Sequence, residues 1–266
     1  MKAGPRSPSG STSSRASEPT RRRPAALGAW YEALEKAWGP QGWWPGRTRF
    51  EVIAGAILTQ AVAWTNAEKA IRTLRREGLL SVEAIRAAPP GAIERAIRPA
   101  GYQTQKGRTL RALAAQVDAR HAGRLDRFLR QPVPVLRAAL LELSGIGPET
   151  ADAILLYAAR RPVFVIDAYT RRILVRHAEA RGNEPYEALR RRFEAALPPD
   201  PGLFNQYHAL LVRAGKEHCR KAAPRCGGCP LEPLLPPGGP RPIVRDDPAV
   251  RIRTGRRAAP IRARVD

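Results

Sequence analysis

The chain has 266 residues, of which 43% are hydrophobic, so it can form one large or two small domains around an apolar core. Its 46 Lys and Arg against 24 Asp and Glu give a net charge of +22, which disfavours an ordinary metabolic enzyme and points to a polyanion, nucleic acid before membrane. No segment approaches the roughly 18 consecutive apolar residues of a spanning helix, and the N-terminus lacks the apolar stretch of a secretory signal, so we expect a cytoplasmic protein, nucleoid-associated if bacterial, that binds no membrane.

The two ends of the chain have the composition of disordered basic tails. Residues 1–26 are rich in Ser, Pro, Thr and Arg, and residues 237–266 are rich in Pro and Gly and contain eight Arg. Between them, residues 27–236 hold 32 basic and 20 acidic side chains. The surplus of +12 in this central part predicts that the folded region itself is basic.

Apolar residues recur at three- and four-residue spacing along the central part, which predicts amphipathic helices separated by Pro and Gly. No stretch alternates as a strand does, and the short apolar run 163–166 cannot form a sheet alone. We therefore predict an all-α, two-lobed fold. The predicted helical segments are residues 50–60, 67–74, 109–117, 135–143, 151–158, 168–175 and 204–212.

A Gly-Ile-Gly turn joins two of these predicted helices. Gly145 and Gly147 expose backbone N–H groups at a helix N-terminus, where they can hold a DNA phosphate without reading sequence, with Thr150 beside them and Ile146 packed inward. A lone G-x-G turn is weak evidence, because many helix pairs are joined this way for steric reasons. Asp167 follows this turn after a proline and the apolar run.

The turn, Asp167 and the spacing of Cys219, Cys226 and Cys229 together resemble the helix-hairpin-helix DNA glycosylases of the endonuclease III superfamily, from about Trp43 to Cys229. The resemblance implies a glycosylase domain over 27–236, with a six-helix-type lobe at about 49–160, a second lobe from 27–48 and 161–218, and a cysteine loop at 219–235. It also implies that Asp167 is the catalytic carboxylate, which stabilises positive charge on the deoxyribose and orients water. Asp167 is also placed to cap the helix that begins at Ala168. A monomer that binds double-stranded DNA containing damaged bases, without a catalytic metal, is expected.

Glu149 stands at the hairpin position where bifunctional members of this superfamily have a lysine. That lysine forms an imine with the sugar and then cleaves the strand. A carboxylate cannot form an imine, so we predict a monofunctional N-glycosylase with weak or absent AP-lyase activity. Glu149 itself is interpreted as a solvated acid favoured by the helix dipole rather than as a catalytic group.

Three of the five tryptophans lie in one short window that resembles the branch containing the type III 3-methyladenine DNA glycosylases. In that branch the Trp43-Trp44-Pro45 segment and an aromatic residue at the position of Trp64 line the base pocket. An electron-rich slot favours a flipped purine that N-alkylation has made cationic. Ordinary core packing is the alternative role for these rings.

The resemblance also implies which residues enter the DNA when a base is flipped out. Gln60 and Tyr102 are the candidates that fill the gap. Lys106, Arg171 and Arg172 are candidates for phosphate contacts.

The three cysteines reproduce only part of the four-cysteine loop that holds a [4Fe–4S] cluster in this superfamily. Leu235 stands where the fourth ligand is expected. Three thiolates can hold a cluster with an exogenous ligand, His218 can join them around zinc, or the loop binds nothing. The intact spacing of Cys219, Cys226 and Cys229 slightly favours retention of a cluster.

The leading hypothesis is therefore base excision of alkylated purines, and two alternatives stay open. One is an endonuclease III-like glycosylase for oxidised pyrimidines, which the missing hairpin lysine and the aromatic window disfavour. The other is a protein that binds damaged DNA without chemistry, which Asp167 disfavours. Removal of mismatched adenine is disfavoured too, because the segment after Gln60 lacks the glutamate of that branch.

Overall fold

The computed structural model describes residues 25–243, and in this range it contains helices and no strand, which confirms the all-α prediction. A π-helical turn, Ile154–Ala158, continues α9, and 3-10 turns occupy Arg98–Ala100 and Glu232–Leu234. None of these helices is both long and apolar enough to cross a membrane. The α-helices are α1 (Ala25–Trp38), α2 (Arg49–Leu58), α3 (Trp64–Arg76), α4 (Val82–Ala87), α5 (Ala92–Ala96), α6 (Gln103–His121), α7 (Leu125–Leu129), α8 (Val133–Leu141), α9 (Pro148–Ala153), α10 (Ala168–Arg176), α11 (Tyr186–Ala196) and α12 (Pro201–Glu217).

Local sequence fixes where several helices begin. Thr48 caps α2 and Ser81 caps α4, each through a side-chain oxygen that accepts from a backbone N–H three residues later. Asp200 caps α12 in the same way, and Pro201 occupies its first turn, where its missing N–H costs nothing. These caps satisfy N–H groups that have no partner inside the helix.

Helices from the two ends of the described chain pack together. The N-terminal helix α1 contacts α11 and α12, and α12 also contacts α10. Helices α2 to α9 form the other group, in which α2 contacts α3, α6, α9 and the π-helical turn. Because α12 also contacts that turn, the turn joins the two groups, and a cavity opens beside it.

The structure differs from the sequence-based prediction at several boundaries. Helices α1, α4, α5, α7 and α11 were not predicted, and α1 begins inside the predicted N-terminal tail. The run 163–166 is buried and forms neither helix nor strand, and side chains satisfy part of its backbone: Phe164 N–H donates to Glu194 Oε1 at 3.0 Å. Residues 237–243 are described and non-helical, and Arg241 N–H donates to the Arg176 carbonyl at 2.8 Å, so the predicted tail begins too early. The remainder of both predicted tails, residues 1–24 and 244–266, lies outside the described residues.

Candidate active site

A cavity of about 240 Å³ lies where the hairpin, the π-helical turn, α10 and α12 meet. Its walls combine aromatic rings with acidic and basic side chains, and the carboxyl groups of Asp167 and Glu149 both line it. The side chains that carry chemistry or stacking surface there are Trp43, Trp44, Trp64, Glu149, Tyr157, Asp167, His208 and Lys216.

Asp167 caps α10, as the sequence predicts. Its Oδ1 atom accepts from Thr170 N–H at 2.7 Å, and its backbone is extended, with φ of −94° and ψ of −179°. Its Oδ2 atom lies 3.8 Å from His208 Nε2. The side chain is only 13% exposed and lines the cavity, so one oxygen is held while the other faces the site.

Glu149 faces the same cavity as Asp167. Glu149 is exposed and is among the residues that line the cavity. Surrounding protein that withholds water and the negative charge of Asp167 raise the pKa of Glu149 to about 7, against an opposing effect of Arg171. Glu149 is therefore solvent-exposed, as predicted, and it also lies near enough to Asp167 for the two charges to interact.

Three tryptophans form an aromatic wall in the cavity. The ring centroids of Trp43 and Trp44 lie 5.8 and 5.2 Å from that of Trp64, with Trp44 the nearer and edge-on. Trp44 fits against α2 because Gly55 has no side chain: a β-carbon there would lie 3.0 Å from Trp44 Cζ2. Pro45 is exposed and is not among the lining residues, so its predicted place in the pocket is wrong.

Three functional candidates in the cavity were not predicted from the sequence. Tyr157 comes from the π-helical turn, and its hydroxyl is hydrogen-bonded to His208 Nδ1. His208 and Lys216 lie eight residues apart on α12, and Lys216 Nζ stands 5.6 Å from the centre of the Trp43 ring, a cation–π contact. A histidine inside the apolar stretch of α12 was the one available signal, since a buried polar group requires a partner.

The hairpin is held in place from the side of α2. Gly145 has φ of +91°, and a β-carbon on it would lie 2.4 Å from Thr109 Oγ1, so only glycine fits. Gln60 Nε2 donates to the Gly145 carbonyl at 2.9 Å and to Thr150 Oγ1 at 2.7 Å.

Ile146 is 6% exposed, which confirms that it packs inward. Gly147 is the N-cap residue of α9, where backbone N–H groups point outward.

The residues proposed to enter or contact DNA have different environments. Tyr102 is 62% exposed and directly precedes α6. Lys106 is 3% exposed, and its ammonium donates to three backbone carbonyls, those of Leu58, Gln60 and Ala100, each at 2.8 Å. The prediction that Lys106 contacts phosphate is therefore wrong, because its charge is enclosed. Arg171 and Arg172 each donate to a backbone carbonyl, of Glu184 at 3.0 Å and of Gly215 at 3.1 Å, and remain partly exposed.

The cysteine loop does not fit a four-thiolate cluster. Cys219 Sγ accepts from Arg176 Nη1 at 3.2 Å, and Leu235, in the position of the missing ligand, lines the same small cavity as the three cysteines. Among residues 25–243 no three His, Cys, Asp or Glu side chains converge as metal ligands. His218 lines that cavity too; its Nδ1 lies 3.0 Å from the Arg225 carbonyl, and its ring stacks on Trp38.

The helical fold, the hairpin and the cavity that holds Asp167 define a class, the helix-hairpin-helix base excision proteins, and comparisons with known proteins agree. Residues 54–199 match the family described as HhH-GPD superfamily base excision DNA repair protein. A putative DNA repair glycosylase of Methanocaldococcus jannaschii is 39% identical over 204 residues, 76% of this chain and 92% of that protein.

Two solved structures share the fold. An endonuclease III–DNA complex gives a TM-score of 0.68 at 20% identity and covers 80% of this chain and 95% of that one. The H. pylori 3-methyladenine DNA glycosylase MagIII bound to 1,N6-ethenoadenine gives a TM-score of 0.61 at 24% identity. That match covers 73% of this chain and 96% of the MagIII chain. The chain belongs to the HhH-GPD superfamily of base excision DNA repair glycosylases.

Proposed function

We propose that the protein is a monofunctional DNA N-glycosylase that flips damaged purines, alkylated ones above all, out of double-stranded DNA and removes them. The observation that carries the proposal is one cavity that holds three tryptophans and two carboxyl groups, Asp167 and Glu149. Indole faces stack on a base and attract positive charge, and carboxylates attract it directly. A purine made cationic by N-alkylation fits both features better than a neutral pyrimidine does.

Asp167 is assigned the central chemical role. As the bond between sugar and base breaks, its electron pair leaves with the base and neutralises the positive charge there. The deoxyribose becomes cationic, and the Asp167 carboxylate stabilises it. Water then adds its oxygen to the anomeric carbon and passes a proton to Asp167. Because the base leaves with its charge neutralised, no separate general acid is needed.

DNA is held by groups outside the cavity. The N–H groups at the start of α9 bind a phosphate near the flipped nucleotide, since a helix N-terminus attracts anions. Tyr102, exposed ahead of α6, and Gln60, between α2 and the hairpin, occupy the space that the flipped base leaves. The excess of basic residues supplies the remaining attraction to the duplex.

Strand cleavage is not part of the proposed activity. Glu149 replaces the hairpin lysine, and a carboxylate forms no imine with the sugar. Lys216 does line the cavity, but its ammonium stands over the face of Trp43, in the wall of the base slot. We also propose that the cysteine loop works without a [4Fe–4S] cluster, since Leu235 stands where the fourth ligand is expected and no three ligand side chains converge among residues 25–243.

The test is chromatography of bases released from methylated duplex DNA by the wild type and by Asp167→Asn, with a separate assay for strand nicking and borohydride trapping. We expect methylpurines from the wild type, none from the variant, equal DNA affinity for both, and no nicking. Nicking with a trapped adduct that Lys216→Met abolishes would instead make the enzyme bifunctional. Binding without release of methylated or oxidised bases would favour the non-catalytic alternative.

A further inference from the structure

The catalytic carboxylate has a neighbour that its role in base release does not yet use. Thr170 N–H fixes the Oδ1 atom of Asp167 at 2.7 Å, whereas Oδ2 faces His208 Nε2 at 3.8 Å. That separation is about 1 Å longer than an ordinary N–H···O hydrogen bond. A modest rotation of either side chain therefore closes it.

His208 is built into this position from behind. It is 5% exposed, and its Nδ1 atom is hydrogen-bonded to the hydroxyl of Tyr157, itself a buried residue on the π-helical turn. Its Nε2 atom is buried and has no hydrogen-bond partner among the described residues. Buried polar atoms in native proteins are almost always satisfied, so an unpaired one facing a catalytic group requires an explanation.

The surroundings determine which nitrogen of His208 carries the hydrogen. Burial raises the pKa of Tyr157 well above its usual value, so the phenol keeps its proton. Burial also lowers the pKa of His208, although the negative charge of Asp167 acts in the opposite direction, so the imidazole is neutral. A lone pair on Nε2 would face the lone pairs of the Asp167 carboxylate. The arrangement without this repulsion has Tyr157 donating to Nδ1 and the single imidazole hydrogen on Nε2.

We propose that His208, held by Tyr157, is a positioning residue whose Nε2–H orients the Oδ2 atom of Asp167 when a damaged nucleotide fills the cavity. The inference rests on the proposed function, because it takes Asp167 as the catalytic carboxylate. A neutral donor suits this role, because it fixes the carboxylate without cancelling the negative charge that the cationic sugar requires. The second lone pair of Oδ2 stays free for the sugar or the attacking water.

Kinetics of four proteins test the role: wild type, His208→Phe, His208→Gln and, as control, His121→Phe, whose ring packs against Phe128. The readouts are the single-turnover rate of methylpurine release and the Kd for duplex DNA with a stable abasic analogue. We expect His208→Phe to release methylpurine roughly 100-fold more slowly than the wild type, because a catalytic group that is out of position loses about this much. Its Kd for the duplex should stay within about twofold of the wild-type value. Glutamine, which keeps an N–H near the Nε2 position, should restore at least roughly a tenth of the wild-type rate.

Two kinetic results would overturn the proposal: a wild-type rate in His208→Phe, or equal losses in the Phe and Gln variants, which indicate packing alone. The control is expected to match the wild type.

A second measurement does not depend on activity. The chain has four histidines, so ¹⁵N NMR resolves each ring. We expect the Nε2–H form for His208, a shift of its Nε2 signal in Asp167→Asn, and some Nδ1–H form in Tyr157→Phe. A dominant Nδ1–H form in the wild type would overturn the proposal. If the wild type releases no base while these NMR results hold, the proposed function fails and the His208–Asp167 pairing stands.

Discussion

Glu149 brings a second titrating carboxyl to the cavity, at the position where an imine-forming lysine would otherwise stand. Loss of hydration in the cavity wall and the nearby Asp167 raise its pKa to about 7, so Glu149 is mostly neutral below that pH and mostly anionic above it. If alkylated purines are the substrate, as we propose, the anion attracts the cationic base and the neutral acid does not. We therefore expect the charge of Glu149 to link pH to the capture of substrate.

We expect kcat/KM for methylpurine release to rise as pH increases through about 7, and Glu149→Gln to remove that rise. The loss above pH 7 should be about fivefold, for an interaction of about 1 kcal/mol. The measurement is kcat/KM between pH 6 and 8, which reports groups of the free enzyme. Glu83→Gln, on the exposed side of α4, is the control and should keep the wild-type profile. A profile that Glu149→Gln leaves unchanged would assign the rise to another group.

At the residue scale, contacts between residues close together in the sequence could be predicted, and contacts between distant segments could not. Asp167 was predicted as a cap because the accepting oxygen and the donating N–H of Thr170 are three residues apart. Tyr157 and His208 are 51 positions apart, and nothing near either residue indicates that they meet. Lys106 was misassigned for the same reason, because three carbonyls from other segments enclose its charge.

At the scale of elements, Lys106 connects the two loops proposed to enter DNA. Its ammonium donates to the carbonyls of Leu58 and Gln60 at the end of α2 and to that of Ala100, two residues before Tyr102. Burial lowers its pKa to about 8, so it is still mainly charged at neutral pH. One buried cation thus sets the relative position of Gln60 and Tyr102.

Lys106→Met should destabilise the fold by about 3 kcal/mol, because it leaves buried carbonyls without a donor. Urea unfolding measures this loss, and Lys69→Met, an exposed lysine on α3, is the control with little expected change. The variant should also flip bases poorly, which the fluorescence of 2-aminopurine opposite or beside the lesion reports. Equal stability of the two variants would show that the enclosed ammonium contributes nothing to the loops.

Helices were predicted where apolar residues recur regularly over a long segment, and they were missed where apolar residues are few. In α11 only Leu189 and Phe193 are buried among many charged residues, so the pattern is too sparse to detect. Helix α1 adjoins a tail of biased composition, which masked its beginning at Ala25. Helix α1 packs on both α11 and α12, so the helical state of this group depends on tertiary contacts that the local sequence does not reveal.

At the scale of the whole molecule, the cysteine loop is expected to fold without metal. Leu235 supplies no ligand at the fourth position, and no three His, Cys, Asp or Glu side chains converge as metal ligands among residues 25–243. Anaerobically purified protein should contain neither iron nor acid-labile sulfide. Cys226→Ser should unfold at the same temperature as the wild type. Stoichiometric iron, or a large loss of stability in the serine variant, would contradict this prediction.

The positive charge of the chain is spread over the described residues and the two segments that flank them. Residues 25–243 hold 33 basic and 20 acidic side chains, so +13 of the net +22 lies in the described part and +9 in residues 1–24 and 244–266. Contacts of basic side chains with phosphates release counterions, so affinity falls with salt in proportion to the number of contacts. The hairpin and the lining residues of the cavity named above belong to residues 25–243.

We therefore expect the full chain to bind undamaged duplex with a steeper dependence of log Kd on log salt concentration than a protein trimmed to residues 25–243. The difference in slope should not exceed about 12, the value if all 13 basic side chains of the removed segments contact phosphates. The rate of base release in single turnover with saturating enzyme should agree within about twofold between the two proteins, because Asp167 and the tryptophans of the cavity belong to residues 25–243. Equal salt slopes would confine DNA binding to the helical domain, and a slow trimmed enzyme would place one of the removed segments at the site.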